Sequence, residues 1–385
     1  MSHRPRLYVD AHATTPCDPA VVAAMAPFWS DAFGNAASLH HAFGWAANKA
    51  VEAARQQVAG LAGARLRDVV FTSGATEADN LALKGIVEGC GRSEIDVVVA
   101  ATEHSAVLDP CRWLETRGVR VTRIPVQADG LIDPAVLEAA LTPQTVLVSV
   151  MTANNEIGVL QPLGDLAAAA HRAGAWFHTD ASQALGHVPV DMEAMGIDLL
   201  SCTAHKMYGP KGVGALIVRR GAKVPLAPLQ HGGGHERGWR SGTLNVPLIV
   251  GFGEACRLAG ERMPADAPRL AALRDCLWHG LQQALPDIHL RGALVPRLPH
   301  NLNVGFGGLR GRDLVLALDD VALSPGAACA STSAEPSHVL RALGLSDDEA
   351  RSSLRFGLLR TTTEAEVDYL VERLVAVVGA LRRQR

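Results

Sequence analysis

Phe71-Thr72-Ser73-Gly74-Ala75-Thr76-Glu77-Ala78-Asp79-Asn80 reads as a strand end, a tight turn and the opening of a helix. The strand is the apolar run 69–71, Gly74 permits the turn, and residues 77–88 continue at helical spacing. The same unit recurs downstream. Runs at 97–99, 119–121, 146–150, 175–177, 199–200 and 214–218 read as buried strands, with helical patterns over 105–117 and 163–173 between them. This alternation predicts an α/β fold with a large domain built on a mostly parallel seven-stranded sheet. In such sheets ligands gather at the carboxyl ends of the strands.

Polar residues fall at five of those ends: 72–76, His104, Asn154-Asn155, 178–183 and 203–206. In the first, the amides after Gly74 and the Thr76 hydroxyl point an anion site outward from the positive end of a helix. A capped helix start is common, so this motif alone decides little. Thr203 and His205 offer further donors, and Arg240-Ser241-Gly242-Thr243 offers another hydroxyl in a Gly-rich loop. No Gly-x-x-x-x-Gly-Lys pattern suggests a nucleoside triphosphate.

Two of these ends carry a lysine and an aspartate. Lys206 is one of only five lysines, and it follows Thr203-Ala204-His205; Asp180 closes His178-Thr179-Asp180. A lysine amine can form a Schiff base with an aldehyde cofactor, and a carboxylate can keep a pyridine nitrogen protonated. Together they are what a protein supplies to pyridoxal phosphate. A solvated, idle lysine at a strand end is the plain alternative for Lys206 taken singly. His104 suits the ring face and proton transfer, and Asn155 and Gln183 are uncharged donors suited to the ring hydroxyl.

Cys329 lies in Ser324-Pro325-Gly326-Ala327-Ala328-Cys329-Ala330-Ser331, among small residues edged by Pro and Gly. Such a loop packs little and can carry a thiol to a substrate and away again. Arg355 opens a strand-like run and suits bidentate capture of a carboxylate. His231-Gly232-Gly233-Gly234-His235-Glu236 lacks a third spaced ligand, so no metal is expected, and it reads as a flexible loop near a dimer boundary.

Composition narrows the classes. At 385 residues with 48% hydrophobic content the chain holds a large core and more than one lobe. A net charge of -3 argues against a nucleic-acid partner. The start, Met1-Ser2-His3-Arg4-Pro5-Arg6, has no apolar signal core, and no run is long enough to span a bilayer. Seven scattered cysteines without a Cys-x-x-Cys pair suit a reducing cytoplasm. Met263-Pro264-Ala265-Asp266-Ala267-Pro268 reads as a change of lobe, followed by a helix over 269–285. The division expected is 15–262 as the large domain, with 1–14 and 263–385 forming a smaller α+β domain that carries the cysteine loop. A helix over 363–382 should close the chain, opened by Thr363 and Glu366 as a capping pair.

These motifs, in order, resemble those of the cysteine desulfurases, the IscS/NifS-like branch of the class V aminotransferases with the pyridoxal-phosphate type I fold. The resemblance runs from Asp10-Ala11-His12-Ala13-Thr14-Thr15 through 71–80, Glu103-His104, Asn154-Asn155-Glu156-Ile157-Gly158, 178–183 and 205–212. It continues through 232–243 and Cys329 to Glu335-Pro336-Ser337-His338-Val339-Leu340. It implies that Lys206 anchors the cofactor, Asp180 meets the pyridine nitrogen, His104 stacks on the ring, and Asn155 and Gln183 lie near its hydroxyl. It implies phosphate contacts from Ala75, Thr76, Thr203 and His205, with Thr243 reaching in from the second subunit of a homodimer. Arg355, with Asn155, is implied to bind the L-cysteine substrate, and Cys329 to carry a persulfide towards an iron–sulfur scaffold or another acceptor. Thr203 stands where serine is usual, and Pro325 and Ala327 alter the run before Cys329. Many relatives extend beyond the last helix with a tail that docks the scaffold, so scaffold transfer stays open. A selenocysteine lyase, another lyase using the same cofactor, or a non-catalytic sulfur-carrier scaffold are the other readings.

Overall fold

The computed structural model of the chain describes residues 6–325 and 335–384. After a short strand β1 (Leu7–Tyr8), the apolar runs form β2 (Val69–Thr72), β3 (Asp96–Ala100), β4 (Arg120–Ile124), β5 (Thr145–Ser149), β6 (Trp176–Asp180), β7 (Leu199–Thr203) and β8 (Gly214–Val218). They make one seven-stranded sheet of order β2-β8-β7-β6-β5-β3-β4. Pairing is parallel from β7 through β6, β5 and β3 to β4; only β8 runs against both its neighbours. Two antiparallel steps return β2 to the direction of β7, so the carboxyl ends of β2, β3, β5, β6 and β7 share one edge. Five of the seven strands are buried throughout, β6 is buried except at Trp176, and only the outermost β4 is half-exposed, as a sheet covered by helices on both faces requires.

One close approach sets the geometry of that edge. Thr72 and Thr203 both register with Gly214. A Cβ on Gly214 would come within 2.8 Å of Gly74 backbone atoms and 2.4 Å of the Cys202 carbonyl oxygen. The glycine lets the turn after β2 lie directly against the end of β7.

A second apolar core lies away from this sheet. It gathers Leu7 and Val9, residues of the long helix from Leu270 to Leu281, and strands β9 (Ile288–Leu290), β10 (Asn301–Phe306), β11 (Val321–Ala322), β12 (Ser324–Pro325) and β13 (Ser353–Gly357) with their helices. β9, β10, β13 and β12 form an antiparallel sheet, and β1 pairs with β11. The closing helix, Glu364–Arg383, starts with Thr363 and Glu366 in a reciprocal capping box, as its sequence predicts.

The proline stretch at 263–268 does not interrupt the chain's helix, which runs unbroken from Val246 to Ala284. The expected start at residue 269 is therefore wrong. Interior prolines remove amide donors and crowd the carbonyl four residues back. Here Pro264 and Pro268 are exposed and one turn apart, so the carbonyls they leave unpaired can be hydrated. The core does change along this helix: Ile249, Phe252 and Cys256 pack against the large sheet, whereas Leu270, Leu273 and Leu277 belong to the second cluster.

Candidate active site

A cavity of about 500 Å³ opens at the shared strand edge. Ala75, Thr76, His104, Asn155, Asp180, Gln183, Thr203, His205, Lys206 and Arg355 all line it. β6 and β7 are parallel neighbours with Asp180 opposite Ser201, which places Asp180 at the end of one strand and Lys206 one short turn, Ala204–Lys206, beyond the end of the other. Thr243 is exposed and does not line the cavity of its own chain. Cys329 lies outside the described residues.

At one end of the cavity the helix Ala75–Gly89 begins at Gly74, whose φ of 156° and ψ of 178° favour glycine. No side chain caps this start, so its first amides and the helix dipole face the cavity as an anion site. Glu77, also on the cavity wall, accepts from Arg240 at 2.8 Å and from the Ser73 amide at 2.7 Å. Thr203 is buried against the same turn. The His205 imidazole is pushed down to about 4 by burial and then by Lys206 and Lys211, so it enters as a neutral ring.

Further in, the Asp180 carboxylate accepts the Ser182 amide at 2.8 Å. Asp79 sits close by, fully buried, with neither oxygen in hydrogen-bonding geometry to any described residue. Burial, and next the charge of Asp180, push its pKa far above the usual carboxylate range. Glu103 is raised well above that range for the same two reasons. Asp180 lines the cavity at the end of β6, with Asp79 and Glu103 near it.

His104 shows which nitrogen it can use. Its Nδ1 accepts the Ala106 amide at 3.1 Å, capping the helix Ser105–Glu115. The neutral ring therefore carries its proton on Nε2. Burial, with Lys206 next, lowers its basicity. The strand-end position was legible in the sequence; the tautomer was not.

Arg355 enters from β13, in the other core, and is 1% exposed. Its guanidinium donates to the Asn155 carbonyl at 2.9 Å and to Asp10 Oδ1 at 2.8 Å. Its Nε has no hydrogen-bond partner among the described residues. A buried, unpaired N–H at a cavity wall suits an incoming carboxylate. Asp10 also accepts the Ser324 hydroxyl at 2.9 Å.

Sequence reasoning did not single out His12, Asp79, Ser182 or Lys211, all of which line the cavity. Asp79 carries a readable signal, a carboxylate one turn into a helix on its apolar face. His12 carries none, because its partners are remote in the chain. The 231–236 segment holds no metal cluster among the described residues. Its Glu236 is buried instead, accepting two hydrogen bonds from Arg55, at 2.7 and 2.8 Å, and the Phe71 amide at 2.8 Å.

The aminotransferase class-V family model matches residues 7–370. The chain belongs to that family. This class-V chain is 53% identical to a protein named cysteine desulfurase IscS from Anaeromyxobacter dehalogenans (strain 2CP-C), covering 98% of the chain and 93% of the relative. It is 49% identical to the human protein named cysteine desulfurase, over 98% of the chain and 82% of the relative. Among solved structures, a NifS-like protein superimposes with a TM-score of 0.90 at 36% identity, covering 97% of this chain and 99% of that one. SspA in complex with cysteine matches at 0.82 and 35%, covering 93% and 100%. The class-V fold here is the expected α/β type I architecture of pyridoxal-phosphate enzymes. Pyridoxal phosphate is the cofactor of this family, and the cavity fits it: an amine, a carboxylate and an uncapped helix start lie within one small volume.

Proposed function

We propose that the chain is a pyridoxal-phosphate-dependent cysteine desulfurase. It takes sulfur from L-cysteine, releases L-alanine and holds the sulfur as a persulfide on Cys329, for iron–sulfur cluster assembly or another thiol acceptor. The observation that carries the reading is the meeting of Lys206, Asp180 and Arg355 in one cavity. The 53% identical relative named cysteine desulfurase supports the choice of reaction.

When bound, the cofactor supplies an electron sink for charge left at the substrate α-carbon. Ala75, Thr76, Thr203 and His205 hold its phosphate, Asp180 keeps its ring nitrogen protonated, and Asn155 and Gln183 meet its hydroxyl. Lys206 anchors it and then takes the substrate α-proton. Arg355, with Asn155, holds the substrate carboxylate. The Cys329 thiolate attacks the substrate sulfur: an S–S bond forms, the carbon–sulfur bond breaks, and its electron pair leaves with the carbon that becomes the alanine methyl. His104, on the cavity wall, would meet the cofactor ring and assist proton transfer; a proton would pass through it only when its imidazole releases the Ala106 amide.

The working unit proposed is a homodimer, with Thr243 of one copy reaching the phosphate of the other. Thr243 is exposed on its own chain, and Trp29, Phe33, Phe43 and Trp45 leave an apolar surface open for a second copy. The two cores support a large domain over 15–262 and a small one from 1–14 with 263–385. A cytoplasmic setting suits the free thiols at all six described cysteines. No helix among the described residues is long and apolar enough to cross a membrane.

The test adds L-cysteine to the purified protein. Alanine release and a persulfide on Cys329 by mass spectrometry are expected. In Cys329→Ser the cofactor's spectral response should persist while alanine and sulfide production collapse; full turnover in that variant would remove Cys329 from the mechanism. Faster alanine release from selenocysteine than from cysteine would favour a selenocysteine lyase. A colourless protein that takes up no cofactor would favour a carrier scaffold.

A further inference from the structure

Gln183 is held by both ends of its amide. Its Nε2 donates to the His12 carbonyl at 3.1 Å, and its Oε1 lies 2.9 Å from His12 Nδ1. A carbonyl oxygen only accepts, so the atom facing it must be nitrogen. The other amide atom is then oxygen, and His12 Nδ1 must carry the proton. A neutral ring protonated on Nδ1 is an acceptor at Nε2. The group found there is Asn301 Nδ2, 3.0 Å away, which also reaches the Glu156 carbonyl at 3.2 Å. Asn301 Oδ1 in turn accepts from Arg297 Nη1 at 3.0 Å. A guanidinium has no acceptor, so it closes the chain with one sense only. All four side chains are buried: Arg297 6%, Asn301 0%, His12 2% and Gln183 4% exposed. Reversing any amide would set two acceptors or two donors against each other without water to rescue them.

We propose that Arg297, Asn301 and His12 are positioning residues that fix the polarity of Gln183, so that it presents an N–H, not a carbonyl, to the cavity. The same Nε2 that bonds the His12 carbonyl carries a second hydrogen, and Gln183 lines the cavity. A donor there selects an anionic or lone-pair-bearing oxygen. On the functional reading above, that oxygen is the ring hydroxyl of the cofactor, held in its deprotonated form. Burial, and next the nearby Arg355 charge, hold His12 far below the usual imidazole range, which keeps the ring neutral and its acceptor nitrogen available.

The relay is tested first on the cofactor-free wild type, by long-range proton–nitrogen NMR of 15N-histidine-labelled protein. The His12 ring, assigned by its loss in His12→Asn, is expected to carry its only proton on Nδ1 from about pH 6 to 8. A proton on Nε2, or on both nitrogens, would overturn the proposal whatever the protein catalyses. The second arm uses the holoenzyme and follows the titration midpoint of the bound cofactor's visible band. His12→Ala keeps the main-chain carbonyl but removes the Nδ1–H that holds Oε1, so the amide is tied at one end only and can swing off the ring oxygen; the oxygen becomes more basic and the midpoint should rise by about one pH unit, the size of one charge-assisted hydrogen bond. His12→Asn, which keeps a donor near the Nδ1 position, should restore it. An unchanged midpoint in His12→Ala, with Gln183→Ala shifted, would overturn the relay. A wild type that takes up no cofactor would instead sink the functional reading and leave the NMR result to judge the relay.

Discussion

Arg355 and Asp10, 345 residues apart in the chain, form a 2.8 Å ion pair at the wall of the cavity. The pair joins the first turn of the chain to β13, and its guanidinium also braces the Asn155 carbonyl. Asp10→Ala leaves a buried positive charge with one partner fewer. The expected loss is about 3 kcal/mol of unfolding free energy, with a raised KM for L-cysteine as Arg355 reorients. Asp10→Asn keeps an acceptor and should lose less on both counts. Denaturant unfolding and steady-state alanine release measure the two effects; an unaltered KM in Asp10→Ala would disconnect the pair from substrate capture.

Glu156 makes stability depend on pH. Burial pushes its carboxyl up to about 7, against a lesser opposing effect from the Ser337 hydroxyl that donates to it at 2.5 Å. A raised pKa favours the protonated form in the folded state, so its contribution is fully present at low pH. It is lost as pH rises from the unfolded-state range near 4.5 through about 7. Glu156→Gln should therefore gain on the wild type between about pH 5 and pH 8, by about 3 kcal/mol at the upper end. Parallel stability curves for the two proteins would show that Glu156 ionises as freely folded as unfolded.

Asp79 and Asp180 should answer the same substitution differently. Burial, and next the charge of Asp180, favour the protonated form of Asp79, and Asp79→Asn keeps the shape of that form without a charge. Its affinity for pyridoxal phosphate should stay within about threefold of wild type. Asp180→Asn removes the carboxylate proposed to meet the cofactor's ring nitrogen and should weaken binding by about tenfold or more. Absorbance titration of the cofactor-free proteins decides; equal losses would mean that Asp79 also carries charge.

The Arg55–Glu236 pair holds the 231–243 loop to β2. Both side chains are almost fully buried, at 6% and 2% exposed. Glu236→Ala should destabilise the protein by about 3–5 kcal/mol, because Arg55 is left charged in the interior. Arg55→Met combined with Glu236→Leu should recover much of that loss. A double mutant as unstable as the sum of its parts would show no interaction between the two.

Much of the site was legible because it is local. Strand, turn and helix follow one another within about ten residues, and their apolar period tells where each strand ends. Thr76, His104, Asn155, Asp180 and Lys206 could be placed at one sheet edge on that ground alone. The long helix was read less well. Two prolines ordinarily stop a helix, and only the packed structure shows that they face solvent where the lost hydrogen bonds matter least.

The order of residues by itself determined the alternating architecture, the lysine and aspartate at strand ends, and the anion site at Gly74. These depend on backbone periodicity and on chemistry within a few residues. Tertiary structure alone decided that Arg355 is anchored by Asp10, that Asp79 and Glu103 surrender their charge, and that Arg297, Asn301 and His12 set which atom Gln183 offers. Each of those outcomes depends on groups brought together from distant parts of the chain into a space without water, where burial and the nearest partner, not residue type, settle the proton and the charge.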